Sequence, residues 1–513
     1  MLLDKSVLKL LGISTSITLL FFAWQYNVGL SFWDEGFLWY GAQRTMLGEI
    51  PVLDFMAYDP GRYYWLATIM HLLNDNSIIS CRAATGVFQV IVLFIGLKII
   101  RNNSEQKLKI SEGFFLIIVG LTLILWMYQW YKVFDIGCSV FLIATLKSIV
   151  EKPSRFRFFI SGISLGLIAV IGKNHGAYGI ISFIVLLFWL LLNNPNKINL
   201  FRSSLFGILG AIIGFSPILL MSIALPGFGK AFLENVLSFI RWKSTNISIA
   251  IPWPWMVDIQ TRAFRHAIPD ILISLFFLAT LVFAVVSIVW IFYRKLTKNK
   301  VNPIIVAVST LAFPYAQYAF SRADLLHLSA GIFPFLIGLF SFFNALGGRK
   351  KWIFSLILLM TTARVLFFAQ PGYSCLVAPY CEEMELSGRT LRINFETKQT
   401  IIWLLNLANQ YDPNGEGILI TPFWPGAYSV LNRKSPIWEN YALWPRDQNF
   451  EEKEIARIKK ANLRLGIFLD FPLDGKKELH FKNTHPLIYQ YLKDNFKFSP
   501  TLANPSIQIL RPK

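Results

Sequence analysis

The sequence predicts a polytopic α-helical membrane protein that ends in a C-terminal α/β domain outside the membrane. Three observations lead there. Mean hydropathy is +0.49, and 54% of the 513 residues are hydrophobic. Apolar runs recur at about 20 residues, the length an α-helix needs to cross a bilayer. These runs are continuous rather than alternating, which excludes a β-barrel, the other structure that satisfies its backbone in lipid. The chain after residue 370 is different: charged, Pro-containing and built of short mixed segments.

The predicted spans, in order, are 8–27, 77–100, 112–131, 134–150, 158–175, 177–194, 202–224, 269–293, 303–320, 328–346 and 352–370. That makes about 11 transmembrane helices and puts the chain ends on opposite sides. The first run is too long for a signal-peptide core and has no small-residue cleavage site, so it reads as a retained span. Residues 1–370 then form the membrane domain and 371–513 the soluble one.

Net charge is +19, but nucleic acid is not the implied partner, because the basic residues sit in short loops. Lys5 and Lys9 open the series, followed by Arg101, Lys107 and Lys109, then by Lys147, Lys152, Arg155 and Arg157. Lys197 and Arg202 come next, then Arg294, Lys295, Lys298 and Lys300, and finally Arg349, Lys350 and Lys351. Every second loop is basic. The positive-inside rule makes these loops and the N-terminus cytoplasmic and the C-terminal domain extracytoplasmic.

Two outer loops are long, 28–76 and 226–268. The first holds an apolar stretch from Tyr63 to Leu73 that fits a helix along the interface. The second holds Pro252-Trp253-Pro254-Trp255, an aromatic, Pro-stiffened segment suited to the headgroup level. In the C-terminal domain Ile418–Thr421 and Leu465–Asp470 read as buried strands, with 451–463 helical. Cys375 and Cys381 stand at its start, as a disulfide or as two thiols. Cys81 and Cys138 fall in spans and read as packing residues.

Charge is costly in lipid, so ionisable residues at span ends are the functional candidates. Asp34 and Glu35 follow the first span, two adjacent carboxylates in a chain with 30 acids. Lys132 and Asp135 flank the turn between the third and fourth spans. Lys173, Asn174 and His175 fill the next outer turn, and Arg322, Asp324 and His327 the one after. Each group has a plainer reading: Lys132 and Lys173 as snorkelling lysines, Asp135 as a helix cap, Arg322 and Asp324 as a local ion pair. All four groups, however, fall on the outer side. A carboxylate there can take the proton of an acceptor hydroxyl, cations can neutralise a leaving phosphate, and an apolar bundle can hold a lipid tail. That combination suits sugar transfer from a lipid-phosphate donor.

The residues around the acidic pair resemble a known family. Trp33-Asp34-Glu35-Gly36, then Gly48-Glu49-Ile50-Pro51 and Asp54-Phe55, then Asp59-Pro60-Gly61-Arg62-Tyr63-Tyr64, look like the first outer loop of GT-C glycosyltransferases. The nearest pattern is the bacterial branch related to protein O-mannosyltransferases and aminoarabinose transferases, glycosyltransferase family 39 and its relatives. Asp135 fits that family's second acidic position, and Gly166-Leu167 with Gly172-Lys173 resembles its Gly-Leu…Lys signature. Thr421-Pro422-Phe423-Trp424-Pro425 and Leu431-Asn432-Arg433-Lys434-Ser435-Pro436 are similar to the segment after the last span in such proteins. Arg322, Asp324 and His327 are not part of the pattern and enter on position alone.

The resemblance implies an integral enzyme of the bacterial inner membrane. It would move a sugar, with inversion, from a polyprenyl-phosphate donor to a glycan, lipid or protein acceptor. Asp34 would be the general base, Glu35 a supporting partner or donor-sugar contact, and Asp135 a further acid of the catalytic group. Lys173, Arg62 and Arg322 would meet the donor phosphate; His175, Asp324, His327 and Tyr63 would bind substrate. The sequence requires no cofactor, although Asp34, Glu35 and Asp135 suit a divalent cation. A transporter or flippase of lipid-linked sugars is the alternative, as is a polysaccharide ligase or polymerase using a pyrophosphate-linked donor.

Overall fold

A computed structural model describes residues 5–101, 109–192, 197–242, 247–258, 264–376, 380–415, 417–502 and 504–513. Lys107 and parts of the 226–268 loop therefore lie outside the described residues. In chain order the helices are α1 (Lys5–Gln25), α2 (Asp34–Met46), α3 (Pro60–Leu72), α4 (Ile78–Arg101), α5 (Ile110–Trp126), α6 (Val133–Glu151) and α7 (Arg155–Ile171). They continue as α8 (Lys173–Leu191), α9 (Lys197–Ala224), α10 (Phe228–Trp242), α11 (Phe264–Leu296), α12 (Pro303–Ser321), α13 (Leu325–Gly331), α14 (Phe333–Leu346) and α15 (Gly348–Leu366). The C-terminal segment adds strands β1 (Cys381–Leu386) and β2 (Arg389–Asn394), α16 (Phe395–Tyr411), β3 (Ile418–Thr421), α17 (Pro425–Leu431) and α18 (Gln448–Lys460). It closes with β4 (Leu465–Leu469), α19 (Phe481–Thr484), α20 (Pro486–Asn495), β5 (Phe496–Pro500) and β6 (Ile507–Pro512).

Every predicted span is helical, but not every one has the length and apolarity of a membrane crossing. Among the described residues seven helices do, and the α13–α14 pair, bent by 53°, makes an eighth if counted as one span. The expected number was about 11. The difference lies in α5 and α7, each 17 residues, and in α15, which carries Arg349, Lys350, Lys351 and Arg364.

By packing, the chain forms two compact units: residues 1–26 with 83–373, and residues 27–82 with 374–513. The sequence boundary at 370 put residues 28–76 with the spans. In the structure that segment packs instead with the C-terminal residues, for reasons of side-chain fit given below.

In the first unit, α7 and α9 approach so closely that only glycine fits. A Cβ at Gly162 would stand 2.0 Å from the Gly207 carbonyl oxygen, and one at Gly210 would stand 2.1 Å from that of Phe159. Small residues that admit close backbone approach are the usual adhesive between helices in a membrane. Gly166 belongs to this seam, 2.3 Å from the Ala211 oxygen by the same measure, so its place in the sequence is accounted for by packing. Trp253 and Trp255 stack at 5.2 Å, and Trp255 is exposed.

In the second unit, β1 and β2 form an antiparallel hairpin. The other sheet has the order β3-β4-β6-β5, with β3 and β4 parallel and the remaining pairs antiparallel. β3 and β4 are buried throughout, which explains their unbroken apolar sequence. Leu419, Ile458, Phe468, Ile488, Leu492 and Leu510 fill the core between sheet and helices. The sulfurs of Cys375 and Cys381 are bonded, while Cys81 and Cys138 are buried and outside any disulfide among the described residues.

Candidate functional site

In the second unit the acidic pair opens α2, and its flanking residues are held by the C-terminal segment. Phe32 packs on Trp424 at 5.2 Å and Trp33 stacks on Phe423 at 5.4 Å. The Gly426 amide donates to the Phe32 carbonyl at 2.9 Å. A Cβ at Gly36 would lie 2.6 Å from Gly426 Cα, so Phe32-Trp33-Asp34-Glu35-Gly36 fits residue by residue against Phe423-Trp424-Pro425-Gly426. This mutual fit is why 27–82 joins the C-terminal segment.

The two acids have different surroundings. Glu35 is gripped by Arg82, whose Nε donates at 2.7 Å to Oε1 and Nη2 at 3.0 Å to Oε2. Arg82 is only 2% exposed and also donates to the carbonyls of Val28 at 3.1 Å and Gly29 at 2.9 Å. A bidentate guanidinium–carboxylate pair of this kind is both strong and directional. Asp34 has no cation at salt-bridge distance among the described residues. Its Oδ1 accepts from the Tyr58 and Tyr441 hydroxyls, each at 3.4 Å.

Arg62 and Tyr63 part company. Arg62 lies over the Tyr58 ring at 5.3 Å and 3.8 Å from Asp59, one side chain away from Asp34. Tyr63 was expected to bind substrate, but it is fully buried. Its hydroxyl accepts from the Tyr58 amide at 3.2 Å, and its ring fills the space that a side chain at Gly41 would need. It is a packing residue that shapes the turn carrying Tyr58. Glu49, from the same stretch, is paired with Arg44 and Lys434. Burial pushes its carboxyl up, but the two cations outweigh it and hold it below its ordinary value.

The first unit gathers the other candidates on α6, α8, α12 and α13. Asp135 sits in the first turn of α6, not at its cap. Its Oδ1 is 3.2 Å from His175 Nε2, and its Oδ2 accepts from the Tyr318 hydroxyl at 2.9 Å. His175 Nδ1 is 2.8 Å from the Tyr315 hydroxyl. The two ring nitrogens of His175 thus bridge the Asp135 carboxyl and the Tyr315 hydroxyl. Lys132 does not snorkel. Its Nζ donates to the Tyr318 hydroxyl at 3.0 Å and lies 3.6 Å from Asp135.

Beside this cluster, the Tyr318 ring packs on His327 at 5.6 Å. Asp324 caps α13 by accepting from the His327 amide at 2.8 Å. It also holds His327 Nδ1 at 2.7 Å and Arg322 Nε at 2.8 Å. Arg322, Asp324 and His327 thus form one buttressed group on the α12–α13 connection. Lys173 and His175 lie in the first turn of α8 rather than in an open turn. An apolar cavity of about 480 Å³ lies elsewhere in this unit, lined by Val185, Phe188, Leu192, Phe292 and Leu296 and by none of these polar residues.

Sequence reasoning missed Arg82, Tyr58, Tyr441, Tyr315 and Tyr318. Arg82 carried a signal, a lone cation within the apolar start of α4. The tyrosines carried none, since tyrosine is common wherever an aromatic ring meets a polar boundary. Among the described residues no three His, Cys, Asp or Glu side chains gather where they could hold a metal ion.

No protein-family model and no curated protein matches the chain. Among solved structures it is similar to the archaeal oligosaccharyltransferase AglB from Archaeoglobus fulgidus in complex with an inhibitory peptide and a dolichol-phosphate. The identity is 12% and the TM-score 0.49, over 99% of this chain and 74% of that one. It is also similar to ArnT from Cupriavidus metallidurans in the apo state, with 12% identity and a TM-score of 0.47, over 98% of this chain and 97% of that one. The apo form of the Archaeoglobus fulgidus oligosaccharyltransferase gives 13% identity and 0.49, over 97% and 74%. These are likenesses of chain course and assign no residue a role.

Proposed function

We propose that this chain is an integral membrane glycosyltransferase of the GT-C kind. It moves a sugar from a polyprenyl-phosphate donor to a glycan, lipid or protein acceptor on the outer face of a bacterial inner membrane. One observation carries the reading. Within Phe32-Trp33-Asp34-Glu35-Gly36 every residue but Asp34 is committed to packing or to an ion pair, which leaves Asp34 as the carboxylate that no cation neutralises among the described residues. A half-buried, cation-free carboxylate is equipped to act as a base.

In the proposed step Asp34 takes the proton of the acceptor hydroxyl. The acceptor oxygen bonds to the anomeric carbon as the carbon–oxygen bond to phosphate breaks, and the electron pair leaves with the phosphate. Attack opposite the leaving group inverts the centre. Lys173, Arg62 and Arg322 are the candidates to meet the phosphate; Arg322 also pairs with Asp324 and Arg62 lies 3.8 Å from Asp59. Cations at the phosphate would stabilise the charge as it develops.

The test is Asp34→Asn in the full-length protein reconstituted in nanodiscs with polyprenyl-phosphate hexoses. We expect transfer to fall by at least about 10²-fold with unchanged thermal unfolding. Wild-type transfer by this variant would sink the assignment of the base.

A transporter reading draws on one observation, the 53° break between α13 and α14, since broken helices often line transport sites. Net movement of a lipid-linked sugar across proteoliposomes, without formation of a glycosidic bond, would favour it.

A further inference from the structure

We infer that Tyr441, carried by the C-terminal segment, is a positioning residue for Asp34 and works jointly with Tyr58. This rests on the proposed function and names the part of the C-terminal segment that serves the reacting carboxylate.

Both phenols converge on one oxygen. The Tyr58 and Tyr441 hydroxyls each stand 3.4 Å from Asp34 Oδ1, and among the described residues no donor reaches Oδ2. Both rings pack on Phe37, Tyr58 edge-on at 4.7 Å and Tyr441 at 5.4 Å. Phe37 follows Asp34 by three residues on α2 and therefore lies on the same helix face. The carboxylate is clasped from two sides, with Oδ1 occupied and Oδ2 left for an acceptor hydroxyl. Long hydrogen bonds of this kind tighten when substrate completes a site.

The placement of Tyr441 is built rather than incidental, because its loop is tied down on both flanks. The Met56 amide donates to the Trp438 carbonyl at 2.8 Å, and Trp438 Nε1 donates to the Val52 carbonyl at 3.0 Å. The amides of Trp438 and Glu439 both donate to Glu454 Oε2, at 2.9 and 3.2 Å. Glu439 holds Arg446 and His485 through its two oxygens, and the Ala442 amide donates to the Pro422 carbonyl at 3.0 Å. Such a buried hydrogen-bonded network fixes a backbone to within the tolerance a reacting group needs. The C-terminal segment thereby completes the surroundings of a residue some 400 positions earlier in the chain.

The test compares wild type, Tyr441→Phe and Tyr58→Phe/Tyr441→Phe, each full-length in nanodiscs. Phenylalanine keeps the ring on Phe37 and removes only the hydroxyl, so thermal unfolding should barely change. With polyprenyl-phosphate hexoses as donor, Tyr441→Phe should lower kcat about tenfold and the double variant further, with the donor KM unchanged. A purely structural tyrosine would not split kcat from KM, and wild-type kcat in both variants would overturn the inference. A second measurement needs no sugar: labelling of Asp34 by a water-soluble carbodiimide, read by peptide mass spectrometry. Uncovering Oδ1 should speed labelling of Asp34 several-fold and leave Glu35 unchanged; equal Asp34 labelling in all three proteins would also overturn it. If wild type itself transfers no sugar, the proposed function fails, and the labelling result still decides whether Tyr441 holds Asp34.

Discussion

Gly36 and Gly426 meet backbone to backbone. A Cβ on Gly36 would fall 2.6 Å from Gly426 Cα and 2.8 Å from the Gly426 nitrogen and the Ser31 oxygen. Real Cβ atoms do not sit so close to backbone, so this contact, rather than a turn or a positive φ, is what demands glycine. It ties the start of α2 to the start of α17.

Gly36→Ala should therefore destabilise the protein although alanine is the better helix former by about 1 kcal/mol. The clash is with main chain, which cannot swing aside, and overpacking of this kind costs about 1–3 kcal/mol. We expect a lower unfolding temperature in nanodiscs and weaker trypsin resistance of the 374–513 segment. A stability equal to or above wild type would show that the two helices can separate without cost.

Arg82 holds Glu35 bidentately and is itself almost fully buried. Arg82→Met removes the cation and leaves a part-buried carboxylate without its partner, a loss of about 3–5 kcal/mol by analogy with other buried pairs. The double variant Glu35→Gln/Arg82→Met should recover most of that loss, since no unpaired charge remains. A double-mutant cycle on thermal unfolding measures the coupling; a coupling near zero would mean that the pair is not formed.

Glu439 gives a pH prediction. Burial pushes its carboxyl up, but Arg446 and His485 outweigh burial and hold it below its ordinary value. A depressed folded-state value means that the ionised form favours the folded protein. The contribution is fully present at neutral pH and is lost as pH falls below about 4. Glu439→Gln should destabilise at pH 7 by about 3 kcal/mol, because the buried Arg446 loses its counter-charge. Its unfolding temperature should also fall less steeply between neutral and acid pH than that of wild type. Parallel curves for the two proteins would contradict the assignment.

The fold was legible in the sequence to the extent that it rests on local patterns. All eleven apolar runs are helices, and the two unbroken apolar stretches Ile418–Thr421 and Leu465–Leu469 are buried strands. The bonded sulfurs of Cys375 and Cys381 agree with one of the two readings left open. Span number was less legible, because periodicity reports that a helix is apolar and not what covers it. α15, with its Arg and Lys residues, shows the difference.

The candidate site was legible as residue types and not as relations. Charges at span ends pointed to Asp135, His175, Asp324 and His327, and the structure joins them into two adjacent groups through Tyr318. Tyr63 was misread because a tyrosine beside a charged motif looks the same whether it faces substrate or core. Arg82 was passed over although a cation in an apolar run is the kind of residue that needs a partner.

By itself the sequence determined the helices of the long apolar runs, two of the strands and the presence of an acidic pair at the end of the first apolar run. Periodicity and hydropathy are properties of neighbours along the chain, and these features depend on little else. Only the tertiary structure decided which of the two acids is neutralised. Arg82 lies 47 residues from Glu35, and Tyr441 lies 407 residues from Asp34. Charge compensation and hydrogen bonding act over a few ångströms of space, so the difference between Asp34 and Glu35 is set where the chain returns upon itself.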